Sequence, residues 1–324
     1  MKNFTFLTIW LVFCIAMSIA ALSNTENAIK HVHDPCIIKQ GEYYYVFSTG
    51  PGVMIRRSKD LVNWEFVGRV FEEDVPKWAK EDILGCKSLW APDIAYFNRK
   101  YYLYYSVSTF GKNRSLIGLA TNKTLDKNSK DYVWKDEGKV FESFPENNYN
   151  AIDSHILRIS KDRMVMSFGS FWSGVKMVEA DPKTGKAIPN SEVISLSRRP
   201  SPCAVEAPFI IMRGGYFYLF VSFDLCCRGI KSTYNIRVGR SKTIEGPYLD
   251  YEGKSLLEDG GTIVSQTEGD IIGTGHCSIL KNKNQYLLVN HYYDAKDNGV
   301  PTLQIRSLKW DKNGWLTVEP LQKP

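Results

Sequence analysis

A chain of 324 residues with 44% hydrophobic and 13% aromatic residues can bury a large core, which excludes an intrinsically disordered protein. Its formal net charge of +6 is spread along the sequence without a run of Lys or Arg, so nucleic acid is excluded as a partner. No organic cofactor is expected.

Residues 1–22 carry one Lys, an apolar stretch too short for a comfortable membrane span, and small residues at Ser18, Ala20 and Ala21. They read as a secretory signal peptide cleaved near Ala20 or a few residues later, with a retained anchor helix as the alternative. The expected product is an exported, membrane-free domain over 23–324. Six cysteines would remain after cleavage, Cys36, Cys86, Cys203, Cys226, Cys227 and Cys277. A core of this size folds without staples, so most are expected to be small buried thiols. The adjacent Cys226 and Cys227 could close a strained ring disulfide, but strain favours two reduced, buried thiols. The sequons at Asn113 and Asn122 matter only in a host that glycosylates.

Beyond the leader, one phrase recurs: a polar residue in a short apolar strand, followed about ten residues later by an aromatic strand. It occurs at Asp34 before Tyr43, Asp93 before Tyr101, Asp153 before Met164, Glu206 before Tyr216 and His276 before Tyr286, in steps of 59, 60, 53 and 70 residues. In the Glu206 unit the two strands are joined by Gly214-Gly215, which supply the positive φ angles of a tight hairpin. A third strand follows in each unit, at 53–58, 116–121, 175–180, 235–240 and 303–308, and a fourth is visible at 64–71, 132–141 and 314–318. Four antiparallel strands repeated about every 60 residues predict an all-β, five-bladed β-propeller in one domain. Segments 72–90, 142–150 and 223–234 are its expected specificity loops.

The innermost strand of each blade lines the axis, so Asp34, Asp93, Asp153, Glu206 and His276 are expected to converge there. Two carboxyls across a pocket can hydrolyse a glycosidic bond, one donating a proton to the leaving oxygen while the other activates water. Any single inner-strand acid can equally serve only to close the ring by hydrogen bonding, but burying several without function is costly. His276 is either a satisfied core histidine or a metal ligand. No spacing supports zinc, whereas calcium held mostly by water would leave little trace in sequence. Trp78, Trp90, Phe110, Phe171 and Trp172 fall outside strands and could stack on sugar rings. Trp64, Trp134, Trp310 and Trp315 read as core.

The blocks H-D-P (33–35), L-W-A-P-D (89–93), Y-N-A-I-D (149–153), S-F-G-S-F-W-S-G (167–174), V-E-A-P-F (205–209), C-C-R-G (226–229), S-T-Y-N-I-R-V-G-R-S-K (232–242), G-P-Y (246–248) and H-Y-Y-D (291–294) closely resemble the arabinanases of glycoside hydrolase family 43. The resemblance spans His33 to about Trp315. It implies a five-bladed propeller and an inverting enzyme, endo-acting on the α-1,5-linked L-arabinan of pectin; a monomer is expected. It makes Asp34 the general base, Glu206 the general acid and Asp153 the residue that tunes the acid, and it gives Asp93 no catalytic part. It further implies that Trp90, Phe110, Asn150, Ser170 and Trp172 line the sugar subsites, with His276 beside calcium or a similar ion. The chain departs from the pattern at Cys36, Cys203 and Cys277, at G-T-G-H in place of G-P-G-H, and at Ser154-His155. Rival readings are an exo-acting α-L-arabinofuranosidase or β-xylosidase on the same fold, and a carbohydrate-binding propeller without catalysis.

Overall fold

A computed structural model describes residues 28–321; the leader expected over 1–22 lies outside the described residues. Twenty strands form five four-stranded antiparallel sheets, each built from strands consecutive in sequence. Blade 1 holds β1 (Cys36–Gln40), β2 (Tyr43–Ser48), β3 (Met54–Ser58) and β4 (Trp64–Arg69). Blade 2 holds β5 (Trp90–Phe97), β6 (Lys100–Val107), β7 (Ser115–Asn122) and β8 (Lys135–Ser143). Blade 3 holds β9 (His155–Arg158), β10 (Met164–Phe168), β11 (Val175–Ala180) and β12 (Ile194–Ser197). Blade 4 holds β13 (Val205–Arg213), β14 (Tyr216–Phe223), β15 (Asn235–Ser241) and β16 (Thr262–Ser265). Blade 5 holds β17 (Ile271–Asn282), β18 (Gln285–Asp294), β19 (Val300–Trp310) and β20 (Leu316–Pro320). The expected five-bladed propeller is what the chain forms. The fourth strands of blades 3 and 4, which the sequence pattern missed, are only four residues long.

Middle strands such as β7 and β10 are buried at every position, because a blade is covered on both faces, whereas the outer β4 is largely exposed beyond its buried Trp64. Five apolar clusters fill the five blade interfaces. Phe47, Leu103 and Tyr105 are among those between blades 1 and 2, Met166 and Phe168 between 2 and 3, and Val205 and Leu219 between 3 and 4. Phe220 and Leu288 lie between blades 4 and 5, and Val46 and Leu287 between 5 and 1. Each such side chain contributes about 1.5–3 kcal/mol when taken from water. The last interface is also sewn by the N-terminal segment: Lys30 bridges to Thr302, and the Val32 amide donates to the Pro301 carbonyl at 3.1 Å. At Gly214 and Gly215 φ is +58° and +74°, the tight turn expected there.

The register at the axis differs from the expected one. Each inner strand, or the turn leading into it, kinks at a left-handed residue: Asp34 (φ +50°), Ala91 (+43°), Asp153 (+57°), Ala207 (+54°) and His276 (+49°). In β5, β13 and β17 the pairing register slips at that place. Asp34, Asp153 and His276 are therefore equivalent, Glu206 stands one residue before its kink, and Asp93 two residues after. That offset directs Asp93 into the seam between blades 2 and 3, where its Oδ2 accepts the Ile156 amide at 2.9 Å and faces His155 Nδ1 at 3.2 Å. Asp93 is thus a structural acceptor. Replacing it (Asp93→Ala) leaves a buried amide unpartnered and is expected to cost about 2–4 kcal/mol. Thermal unfolding should show a midpoint lower by several degrees, with kcat held within about twofold; a collapse of kcat at unchanged midpoint would give Asp93 a part in the chemistry instead.

Candidate active site

The kinks explain how carboxylates come to face an open cavity from inside apolar strands. A left-handed residue aims its amide away from its own ladder, and the neighbouring blade supplies the acceptor. The Ala91 amide donates to Thr49 Oγ1 at 2.8 Å, that of Asp153 to Ser106 Oγ at 3.0 Å, that of His276 to Ser222 Oγ at 2.8 Å and that of Asp34 to His291 Nδ1 at 3.1 Å. The fifth, from Ala207, is taken by the Asp153 carboxylate itself. The ring of bonds fixes where each functional side chain points.

A cavity of about 640 Å³ opens at this end of the axis, lined by Asp34, Asp153, Glu206 and His276 together with Trp90, Phe110, Asn150, Ser170 and Trp172. The catalytic, sugar-binding and metal residues that the family resemblance implies therefore lie in one place. Phe110 is 82% exposed and Trp172 38%, so their rings are free to meet a ligand. Asn150 is buried with its Oδ1 unpartnered, an acceptor that a sugar hydroxyl can use. Phe171 joins them, but Trp78 does not: its indole N–H donates to Asp136 at 2.7 Å on the outer side of blade 2. Of the three expected loops, 223–234 contributes Leu225–Arg228, while 142–150 and 72–90 contribute only Asn150 and Trp90. The turns at 108–112 and 170–172 do more of the lining than their shortness suggested.

Asp34 and the Asp153–Glu206 pair occupy opposite electrostatic settings. Burial works to raise the Asp34 pKa, but the imidazoles of His33 and His276, with Nδ1 atoms 2.8 and 3.2 Å from Asp34 Oδ1, hold its carboxyl well below the usual carboxylate range. Thr49 adds a hydroxyl bond to Oδ2 at 2.6 Å. Burial in turn works to lower the His33 pKa, yet the Asp34 charge outweighs it and raises His33 to about 10. His276 and His291 stay neutral, pushed down by burial and by the charge on His33. Asp34 is thus an ionised carboxylate paired with one imidazolium. Across the cavity, burial raises Asp153 and Glu206 above the ordinary range, reinforced at Asp153 by the like charge of Glu206 and opposed at Glu206 by the Ser170 and Tyr234 hydroxyls. The pair therefore retains a proton. Ser170 Oγ donates to Glu206 Oε2 at 2.6 Å.

His33, His291, Thr49 and Tyr234 were not singled out in sequence, although His33, Tyr234 and His291 stand in quoted motifs. Nothing in spacing says that residues some 260 apart stack, as the His33 and His291 rings do at 3.9 Å. His33, Asp34 and His291 have ligand atoms close enough for a metal ion, but His33 is already engaged at Asp34 and, through Nε2, at the Tyr293 hydroxyl 2.8 Å away, and His291 Nδ1 accepts an amide. Calcium seeks six to eight oxygens, so this nitrogen-rich cluster does not suit it; His276 could offer such an ion a single nitrogen beside water. All six described cysteines are free. Four are buried as expected, but Cys226 and the exposed Cys227 reach the cavity wall, correcting the expectation that this pair is buried. The Cys226 hydrogen bond and the nearby His33 draw the Cys227 thiol down to about 5. Cys203, unexplained in sequence, sits buried in the interface of blades 3 and 4 and accepts the Arg199 amide at 3.4 Å. Both sequon asparagines are buried, Asn113 donating to the carbonyls of Phe144, Asn147 and Tyr149.

Comparison with known proteins gives this geometry a family. Residues 26–316 match the model of the glycosyl hydrolases family 43. The chain is 44% identical over 301 residues to an extracellular endo-α-(1→5)-L-arabinanase of Bacillus subtilis, covering 91% of this chain and 90% of that protein. It is 43% identical over 317 residues to an extracellular exo-α-(1→5)-L-arabinofuranosidase of Cellvibrio japonicus, covering 94% and 91%. The solved structure of a Cellvibrio cellulosa α-L-arabinanase complexed with arabinohexaose superposes with a TM-score of 0.84 at 41% identity, covering 89% of this chain and 95% of that one. The chain belongs to the glycosyl hydrolases of family 43.

Proposed function

We propose that this protein is a secreted, monomeric, inverting endo-1,5-α-L-arabinosidase that cleaves internal bonds of arabinan. The observation that carries the reading is the charge division in the cavity: an ionised Asp34 on one side, a proton-holding Asp153–Glu206 pair on the other, and a rim of exposed aromatic rings. Asp34 takes a proton from water as the oxygen attacks the anomeric carbon. Glu206 gives its proton to the departing sugar oxygen, so water is added across the bond and solvent exchange resets both acids. Asp153 faces Glu206 as the carboxyl that tunes the donor, since the two repel when both are ionised. Trp90, Phe110 and Trp172 offer ring faces to successive arabinose units, with Asn150 and Ser170 as polar partners. Calcium, where bound, would sit by His276 with water completing its shell and would add positive charge near Asp34; none of these steps is routed through it.

Export is supported by the apolar leader and by relatives named extracellular. No helix among the described residues is long and apolar enough to cross a membrane. The exo-acting reading has its own support, because one similar relative is named an exo-enzyme. Digestion of linear arabinan separates the two: oligomers appearing first show internal cleavage, and arabinose alone shows attack from an end. Binding of arabinan with no hydrolysis would establish the non-catalytic reading.

Two variants test the division of labour. Glu206→Ala should lose about 10²–10⁴ in kcat on arabinan but far less on aryl arabinosides, whose leaving groups need no proton; equal losses would remove Glu206 as the donor. Asp153→Asn removes a carboxyl that would repel an ionised Glu206, so the acid form is expected to be lost at lower pH. The alkaline limb of kcat/KM should move by about one unit toward acid, and an unmoved limb would contradict the assignment.

A further inference from the structure

The hydrolytic reaction uses no sulfur, yet the segment Leu225–Arg228 places two adjacent free cysteines in the wall of the cavity. Cys227 is exposed, with a left-handed backbone (φ +63°), and its amide donates to the Tyr293 hydroxyl at 2.7 Å. Its Sγ stands 3.9 Å from His33 Nε2, while His33 Nδ1 lies 2.8 Å from Asp34 Oδ1. Thiol, imidazole and carboxylate therefore form a line that starts at the cavity surface and ends on the catalytic base. The other cysteines differ in setting: Cys36, Cys86, Cys203 and Cys277 are buried in blade interfaces or strands, out of reach of a reagent in solvent.

We propose that Cys227 is a modification site that closes the catalytic cavity: its sulfur reacts with small disulfides and related soft electrophiles, and the adduct fills the space a sugar ring needs beside Asp34. The inhibition rests on the proposed reading of this cavity as the hydrolytic site; the reactivity of the sulfur does not. In the step, Cys227 gives up its proton and attacks one sulfur of a disulfide RS–SR. The S–S bond breaks, a Cys227–S–SR bond forms, and RS⁻ leaves and takes up the proton. Cys227 is oxidised from thiol to disulfide while one half of the reagent is reduced to a thiol. Cys226 is poorly placed to displace the adduct, because a ring between adjacent residues is strained. The mixed disulfide therefore persists until an external thiol reverses the exchange. An exported enzyme meeting oxidised thiols would be switched off by its surroundings without unfolding.

The test uses the full protein with hydroxyethyl disulfide as probe, reading intact mass, peptide map and hydrolysis of linear arabinan in parallel. The expected result is one adduct per molecule, mapped to Cys227, with activity falling at least about tenfold, recovery on adding dithiothreitol, and labelling slowed about fivefold or more by arabinotriose. Cys227→Ser, whatever its own activity, should lose the adduct and the inactivation, while Cys226→Ser should remain sensitive. Adduct formation at another cysteine, inactivation that survives Cys227→Ser, or labelling at Cys227 without loss of activity would each overturn the proposal. Should the untreated protein fail to cleave arabinan, the functional reading fails, and the peptide map still decides the reactivity of Cys227.

Discussion

The structure depends on a left-handed kink repeated once in each blade where the strands meet the axis. A strand interior offers no route for a charged side chain to leave the apolar packing; a kink does, at the cost of an amide removed from its ladder. Each such amide is recovered by a side chain of the preceding blade, from Thr49, Ser106, Ser222 and His291 to the Asp153 carboxylate. Blade closure and placement of the acids are thus one set of bonds. That coupling also makes Asp153 serve twice, as acceptor for the Ala207 amide and as the charge beside Glu206.

The same arrangement separates two carboxyl chemistries within one water-accessible cavity. Asp34 and Asp153 hold equivalent positions in the repeat, with similar burial at 8% exposure each, yet one is held ionised and the other is raised. Burial acts on both in the same direction, so neighbours decide: imidazoles and a hydroxyl surround Asp34, another carboxyl faces Asp153. His33 is the residue on which this depends most. It carries the compensating charge for Asp34 and connects it through Tyr293 to the cysteine pair.

Much of this was legible in the sequence, because a propeller writes its repeat as strand phrases of nearly constant spacing and makes its second strands aromatic or apolar with almost no charge. The third strands fell within a few residues of their observed bounds, and Asp34, Asp153, Glu206 and His276 do converge. What failed were features that spacing cannot carry. A one- or two-residue slip at a kink keeps Asp93 out of the cavity lining, and a pattern tolerant enough to find five repeats cannot resolve it. Trp78 and Trp90 both precede or open a strand, but only tertiary placement tells which ring meets the cavity. The third and fourth imidazole and hydroxyl partners of Asp34 come from blade 5 and from the end of β2, and Cys227 was read as buried because an adjacent cysteine pair gives no sign of its exposure.

In the proposed mechanism Asp34 activates water on the face opposite Glu206, which requires a single displacement. The most direct measurement is the anomeric configuration of the first product, followed by proton NMR during rapid hydrolysis of an α-1,5-linked arabino-oligosaccharide before mutarotation. The account predicts that the new reducing end appears as the β-anomer and then equilibrates. An α-anomer at the earliest times would mean a double displacement and would contradict it.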